Sequence, residues 1–432
     1  MKRLVSMNVE LGYVIITASF FVRYVEEGSL ESRSFRRKNM RKWCIVELLT
    51  GKEENYMLTD LGELFSYSEI EGEKKFLNVV GEGVWRSYIT MAEYENKLIF
   101  PPYFADSVAV YDLEKQEFEY ISLPAETAPE GQRPRQYKKI ACFKEKAYFA
   151  GDSISALICM DLKTHEIKLC SEWQKEFEKK YGVFTQSNIY SDLCVTGHSF
   201  WVPLKEKNYV MEYNMLDDTY TFYRIGEREN QYSCICFDGS CFWLSGDEKF
   251  ITKWDKESGA FELFEDFPLD FTVNTDNGGR KAYFSCSILW NHSIYFAPMS
   301  ANMCIRIDLE SGKMSSLVKR ERKNICLIMK KIGNNNALYL EEIDGEKINF
   351  SKGCWIERDN SCRAAVISFT EKEKQKLLKK KIEMQMLIQE KGCVDLQLLA
   401  NSLLPEEKKE QVLHKKDLAG NEIYRMTANG RK

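Results

Sequence analysis

An arginine set just ahead of an aromatic ring recurs along this chain, and that pairing can hold an anion. The instances are Arg86-Ser-Tyr88, Arg135-Gln-Tyr137 and Arg280-Lys-Ala-Tyr283, with Arg228 more loosely before Tyr232. Trp85, Arg133, Arg320 and Arg322 lie in segments of the same kind. A guanidinium is planar, always charged and presents a fork of donors, so beside a ring it suits carboxylates, phosphates and sugar rings. If these residues converge, they form a positive funnel on an acidic protein. The competing reading is that each arginine pairs with a nearby acid such as Glu227, Glu229 or Asp276.

Catalysis leaves no comparable mark. The four histidines, His165, His198, His292 and His414, are far apart, and a metal site needs further converging ligands. H-E-x-x-H, a P-loop, G-x-G-x-x-G after a strand and G-x-S-x-G do not occur. Gly278-Gly279 reads as a loop, and acid pairs such as Asp217-Asp218 read as turns. Choosing two of 65 acids as a glycosidase pair is arbitrary. The expectation is therefore no catalytic residue, no metal and no cofactor.

The elements that position these residues follow from a repeat. An apolar strand enters an irregular loop, a second strand ends in an acid or Asn, and a polar turn leads to a third strand. LIFPPYFADSVAVYDLEKQEFEYISL, FWLSGDEKFITKWDKESGAFELF and IYFAPMSANMCIRIDLESGKMSSLV are clear copies. Taken at the turn acid, the anchors are Glu47, Asp112, Asp161, Asn214, Asp255, Asp308 and Glu357, at intervals of 65, 49, 53, 41, 53 and 49. A short Asp or Asn side chain accepts from backbone N–H groups two residues on, and Gly51, Gly259 and Gly312 are placed to supply positive φ. One more apolar stretch precedes each strong hairpin, as in YKKIACF, IYSDLCV and NICLIMK. Four strands per unit, repeated radially, describe an all-β β-propeller of seven blades, alternatively six. A pair of β-sandwiches is the runner-up.

The chain has 432 residues, 44% hydrophobic, enough to bury a core, and its net charge of −4 argues against a nucleic-acid partner. Its 14 cysteines include no C-x-x-C and sit mostly in strand-like runs, so they read as buried, reduced thiols in a cytoplasmic protein. Leu11–Val22 is an uncharged run that reads as a buried strand ahead of a signal peptide, which makes secretion the minority reading. At twelve residues it is too short for a transmembrane segment, which needs about 20. Residues 1–370 are assigned to the propeller and 371–432 to a helical extension, where EKEKQKLLKKKIEMQMLIQEKG is dense in helix formers. Helices at Glu371–Gly392 and Val394–Leu404 would pack on the propeller's outside or hold a protein partner.

The strand-loop-strand units, most plainly LIFPPYFADSVAVYDLEKQEFEY and IYFAPMSANMCIRIDLESGKM, resemble those of bacterial kelch-like propellers, the superfamily that includes the galactose oxidase central domain. The similarity spans about residues 40–369, in a branch seen in anaerobic Gram-positive bacteria alongside surface-polysaccharide genes. It implies the fold and no catalytic residue. The Gly-Gly doublet typical of each kelch blade occurs once, and the tyrosine and histidine ligands of the galactose oxidase copper have no counterpart. The function expected is a non-catalytic binding or scaffold propeller that takes an anionic glycan, a sugar phosphate or a partner protein at the channel mouth. The alternative is a carbohydrate-active lyase or hydrolase with its site in the funnel loops.

Overall fold

The computed structural model describes residues 44–67, 74–81, 86–124, 137–151, 157–182, 192–204, 208–274, 282–319, 324–332, 337–344, 351–364, 372–373, 375–377 and 379–380. Among these lie seven four-stranded antiparallel sheets, each built from four strands in sequence order. Sheet 1 runs from Ile45–Thr50 to Lys74–Val79, sheet 2 from Ala92–Tyr94 to Glu117–Ser122, and sheet 3 from Tyr137–Phe143 to Ile167–Cys170. Sheet 4 runs from Cys194–Thr196 to Thr219–Arg224, and sheet 5 from Cys234–Phe237 to Phe261–Phe264. Sheet 6 runs from Phe284–Trp290 to Met314–Lys319, and sheet 7 from Asn324–Ile332 to Cys362–Ala364. This is an all-β repeat fold of the β-propeller kind.

The second strand of each sheet explains why the units stack. Successive side chains of a strand point to opposite faces, and here both faces are covered. In Ser199–Leu204, Phe200 and Val202 pack toward sheet 3 while Trp201 packs toward sheet 5. In Ser293–Pro298, Ile294 and Phe296 face sheet 5, and Tyr295 and Ala297 face sheet 7. Hence these strands read as continuous apolar runs rather than alternating ones. Every successive pair of sheets shares such a core: Phe100 with Leu58 (sheets 2 and 1), Ile99 with Phe149 (2 and 3), Tyr148 with Phe200 (3 and 4). The last core joins the two ends of the repeat, with Ile45, Met57 and Phe65 of sheet 1 against Tyr339 of sheet 7. The Ile45 N–H donates to Glu341 Oε1 across that junction at 3.4 Å.

The turn acids behave as expected. Asp112 Oδ1 accepts from the N–H groups of Glu114 and Lys115 at 3.0 and 2.9 Å, and Asp161 Oδ1 from Lys163 and Thr164 at 2.9 and 2.8 Å. Asn214, Asp255 and Asp308 make the same kind of bond to Leu216, Glu257 and Ser311. Four residues after these five anchors the backbone is left-handed, at Gln116, His165, Asp218, Gly259 and Gly312. Glu357 is not the turn acid of sheet 7: Asp359 Oδ1 accepts from the Ser361 N–H at 2.9 Å, and the left-handed residue there is Asn360. Two further expectations need correction. Glu47 is no turn acid: it lies buried in the first strand of sheet 1, which accounts for the long interval before Asp112. Gly51, by contrast, does not adopt a positive φ.

A helix interrupts the repeat between sheets 3 and 4. In α1 (Glu172–Tyr181), Trp173 and Phe177 sit four apart and bury one face in the core shared by those sheets. Residues 372–373, 375–377 and 379–380 are helical. There the Phe76 N–H, in the outer strand of sheet 1, donates to Glu373 Oε2 at 2.6 Å, and Leu377 enters the core between sheets 7 and 1. The expected second helix and the Leu11–Val22 run lie outside the described residues. The twelve described cysteines are free thiols. No helix among the described residues is long and apolar enough to cross a membrane.

Candidate functional site: a charged hub and a connection face

The first strands of sheets 4, 5, 6, 7 and 1 lie side by side in that order, as do those of sheets 2 and 3, and two carboxylates gather them. Asp192 stands two residues ahead of the first strand of sheet 4. Its Oδ2 accepts from the Ile235 N–H of sheet 5 at 3.0 Å, and from the Ser287 N–H and hydroxyl of sheet 6 at 3.3 and 3.4 Å. Its Oδ1 lies 3.5 Å from Lys139 Nζ of sheet 3. Glu47 of sheet 1 takes Lys330 Nζ of sheet 7 at 2.6 Å on Oε1, and the Thr90 hydroxyl, just ahead of sheet 2, at 2.7 Å on Oε2. Counting their own positions, the two acids bring together groups from sheets 1, 3, 5, 6 and 7 and from the residues just ahead of sheets 2 and 4.

Burial raises the Asp192 carboxyl above the usual carboxylate range, although Lys139 and backbone donors pull the other way. Burial works to lower the Lys139 ammonium, but the charge of Asp192 overturns this and holds it above the ordinary lysine value. Glu47 acts on Lys139 as well, so the two ion pairs share one field. Around them the thiols of Cys234, Cys236 and Cys286 are pushed upward by burial. They are protonated and packed, with Cys234 Sγ 3.2 Å from the Phe284 carbonyl; a thiolate nucleophile is not what this wall offers.

The residues singled out in the sequence fall into two groups. The rings of Tyr88, Tyr137 and Tyr232 are buried in the cores between sheets 1 and 2, 2 and 3, and 4 and 5. The Tyr88 hydroxyl donates to the Ser107 carbonyl at 3.0 Å, and the Tyr232 hydroxyl shares a hydrogen bond with Thr252 at 3.1 Å. Tyr283 is half-buried beside Phe271. Arg228 is different. Its side chain is 61% exposed, its Nη1 bonds Glu265 Oε1 at 3.0 Å, and its guanidinium lies 4.9 Å from the centre of the Phe250 ring. The aromatic that supports it is therefore Phe250, from the loop between the second and third strands of sheet 5, rather than Tyr232. Arg86 is half-buried with a left-handed backbone, and its N–H donates to the Asp60 carbonyl at 2.6 Å. Both arginines lie on connections from the fourth strand of one sheet to the first strand of the next. Trp85, Arg133, Arg135, Arg280, Arg320 and Arg322 lie outside the described residues.

The three described histidines serve turns. His165 Nδ1 is 3.2 Å from Glu119 Oε1, and the His198 and His292 carbonyls accept from the Met215 and Leu309 N–H groups at 2.8 and 3.1 Å. Among the described residues no cluster of His, Cys, Asp and Glu could hold a metal ion. The hub is not apparent from the sequence motifs, yet a signal is present: Glu47 in CIVELL, Lys139 in YKKIACF, Asp192 in IYSDLCV and Lys330-Lys331 in LIMKKI are charges inside apolar first-strand segments.

No family model matches this chain, and no curated protein matches it. Among the solved structures it is similar to, the extracellular domain of a one-component system from B. thetaiotaomicron shares 13% identity over 70% of this chain and 38% of that one, at TM-score 0.47. PorZ, a surface component of the type-IX secretion system of Porphyromonas gingivalis, shares 10% identity over 77% of this chain and 39% of its own, at TM-score 0.49. The computationally designed Ika8 protein shares 10% identity, covering 76% of this chain and 98% of that one, at TM-score 0.46. This chain thus spans well under half the length of the first two.

Proposed function

We propose that the chain is a seven-bladed, kelch-like β-propeller that binds its ligand without transforming it. The ligand is an anionic carbohydrate or sugar phosphate, taken on the face that carries the interblade connections, in cytoplasmic steps of surface-polysaccharide metabolism. The seven sheets, and the core shared by the first and the last, support the blade number. One observation carries the binding reading: an exposed guanidinium laid on an aromatic ring, with Glu265 holding one edge and the rest of the fork open. Such a platform offers an acidic group its charge and a sugar ring its neighbouring apolar face. The alternative, a lyase or hydrolase, has Asp192, whose carboxyl is raised by burial, as its candidate acid. Both of its oxygens are already engaged by groups from three other sheets, which fits a role in assembly better than proton transfer.

Isothermal calorimetry with uronic-acid oligosaccharides, hexose phosphates and their neutral analogues tests this. The expected result is binding of an acidic member and not of its neutral analogue. Arg228→Ala should weaken that binding about tenfold, roughly 1.4 kcal/mol. If no member binds, or if binding survives Arg228→Ala combined with Arg86→Ala, the proposal falls.

A further inference from the structure

In the turn after the third strand, the residue following the anchor is usually an apolar plug. Leu113, Leu162, Met215 and Leu309 stand there in sheets 2, 3, 4 and 6, each packed into or against the core shared with the preceding sheet. Two positions before its own anchor, that preceding sheet adds Val110 to the core of Leu162 and Cys159 to the core of Met215. All four are buried. Between sheets 4 and 5 both positions carry charge instead: they are Glu212 and Lys256. An ion pair set where apolar side chains serve elsewhere adds little stability of its own.

The surroundings of this pair are specific. Glu212 lies directly across the strand pair from Trp201, and Trp201 and Tyr223 both face sheet 5. Lys256 Nζ is 3.2 and 3.1 Å from the two Glu212 carboxylate oxygens. It is also 4.9 Å from the centre of the Trp201 ring and 5.8 Å from that of Tyr223. The Tyr223 hydroxyl donates to Glu212 Oε2 at 2.9 Å, and Trp201 Nε1–H donates to the Thr196 hydroxyl at 2.7 Å, so both rings are held in place. Trp201 is buried, whereas Glu212 is 15% and Lys256 31% exposed, which puts the lysine on the solvent side. The other charge acting here is the exposed Glu257, felt by Tyr223. Without Lys256 the enclosure is therefore negative. Two aromatic faces and a carboxylate suit an organic ammonium: the rings attract the cation and cover its alkyl part, and the acid supplies the counter-charge.

We propose that Trp201, Tyr223 and Glu212 form an alkylammonium-binding cage, held closed by Lys256 as its tethered occupant. An external ammonium group takes the cage only in place of the lysine. The cage uses no connection-face residue, so it stands or falls separately from the carbohydrate reading.

Thermal unfolding of Lys256→Gly in n-butylammonium chloride and in sodium chloride, at matched ionic strength, tests it, with n-butanol as the neutral analogue. Butylammonium should raise the Tm of the variant saturably, by about 2–5 °C at a hundredfold excess over Kd. Butanol should not, and the wild type should not respond at concentrations that saturate the variant. Adding Glu212→Gln should raise the half-maximal concentration about tenfold or more. Adding Tyr223→Leu should raise it about threefold. No rise in Lys256→Gly, an equal rise with butanol or in the wild type, or a response unchanged by either added substitution would overturn the proposal. Should Lys256→Gly not fold, calorimetric titration of Lys256→Ala with butylammonium takes its place. Binding is then expected, and its absence would overturn the proposal.

Discussion

Asp161 shows what a turn acid does when its carboxylate is used twice by the backbone. The Thr164 and Lys163 N–H groups hold it below the usual carboxylate range, and the donors on Asp112 and Asp308 act likewise. A carboxyl whose folded pKa is depressed contributes stability that is present above the unfolded value, about 3.9, and lost as pH falls through the folded one. Asn214 fills the same position with a neutral acceptor. Asp161→Asn should therefore leave unfolding at pH 7 nearly unchanged and flatten the fall in stability between about pH 4 and 2. Urea titrations across that range check this, and a slope identical to wild type would contradict it. These turns are legible in the sequence because the chemistry is local: an Asx side chain and the next three residues suffice. Glu47 misleads for the complementary reason. In sequence it is one acid near a glycine, and only Lys330, far along the chain, reveals its role.

At the scale of elements, the strands are legible and the exceptions are not. Runs such as SIYFAP and SFWVPL are apolar throughout because both faces of a second strand are covered by neighbouring sheets, and that signal survives without any tertiary information. α1 carries no such signal. Its apolar content is essentially Trp173, Phe177 and Tyr181, and its helical sense depends on the core it docks against. The start of the helical extension is legible from its composition, but its docking is not. Leu377 lies in the core between the last and first sheets, so Leu377→Ala should cost about 2–5 kcal/mol. Equilibrium denaturation measures this. A loss below about 0.5 kcal/mol, the range of surface substitutions, would mean that the helix does not pack there.

For the whole molecule, the decisive feature is that the two ends of the repeat meet. The sequence shows the units, and stacking requires neighbours, but nothing local states that sheet 7 adjoins sheet 1 or that charges from separate sheets gather in one hub. The candidate site is legible only in part: Arg228 lies exposed on a ring, but that ring is Phe250 and not the Tyr232 that follows it in sequence, while Tyr88, Tyr137 and Tyr232 are committed to the cores. The rings mislead because an aromatic opening a strand looks the same whether it faces solvent or the next sheet. Both the fold and its hub depend on closure, and a double-mutant cycle between Glu47 and Lys330 tests closure directly. Glu47→Gln, Lys330→Met and the double variant, compared by urea unfolding, should give a coupling of about 1–3 kcal/mol, as groups in contact do. Additivity within about 0.5 kcal/mol, the behaviour of distant sites, would contradict the joined ring and the hub built on it.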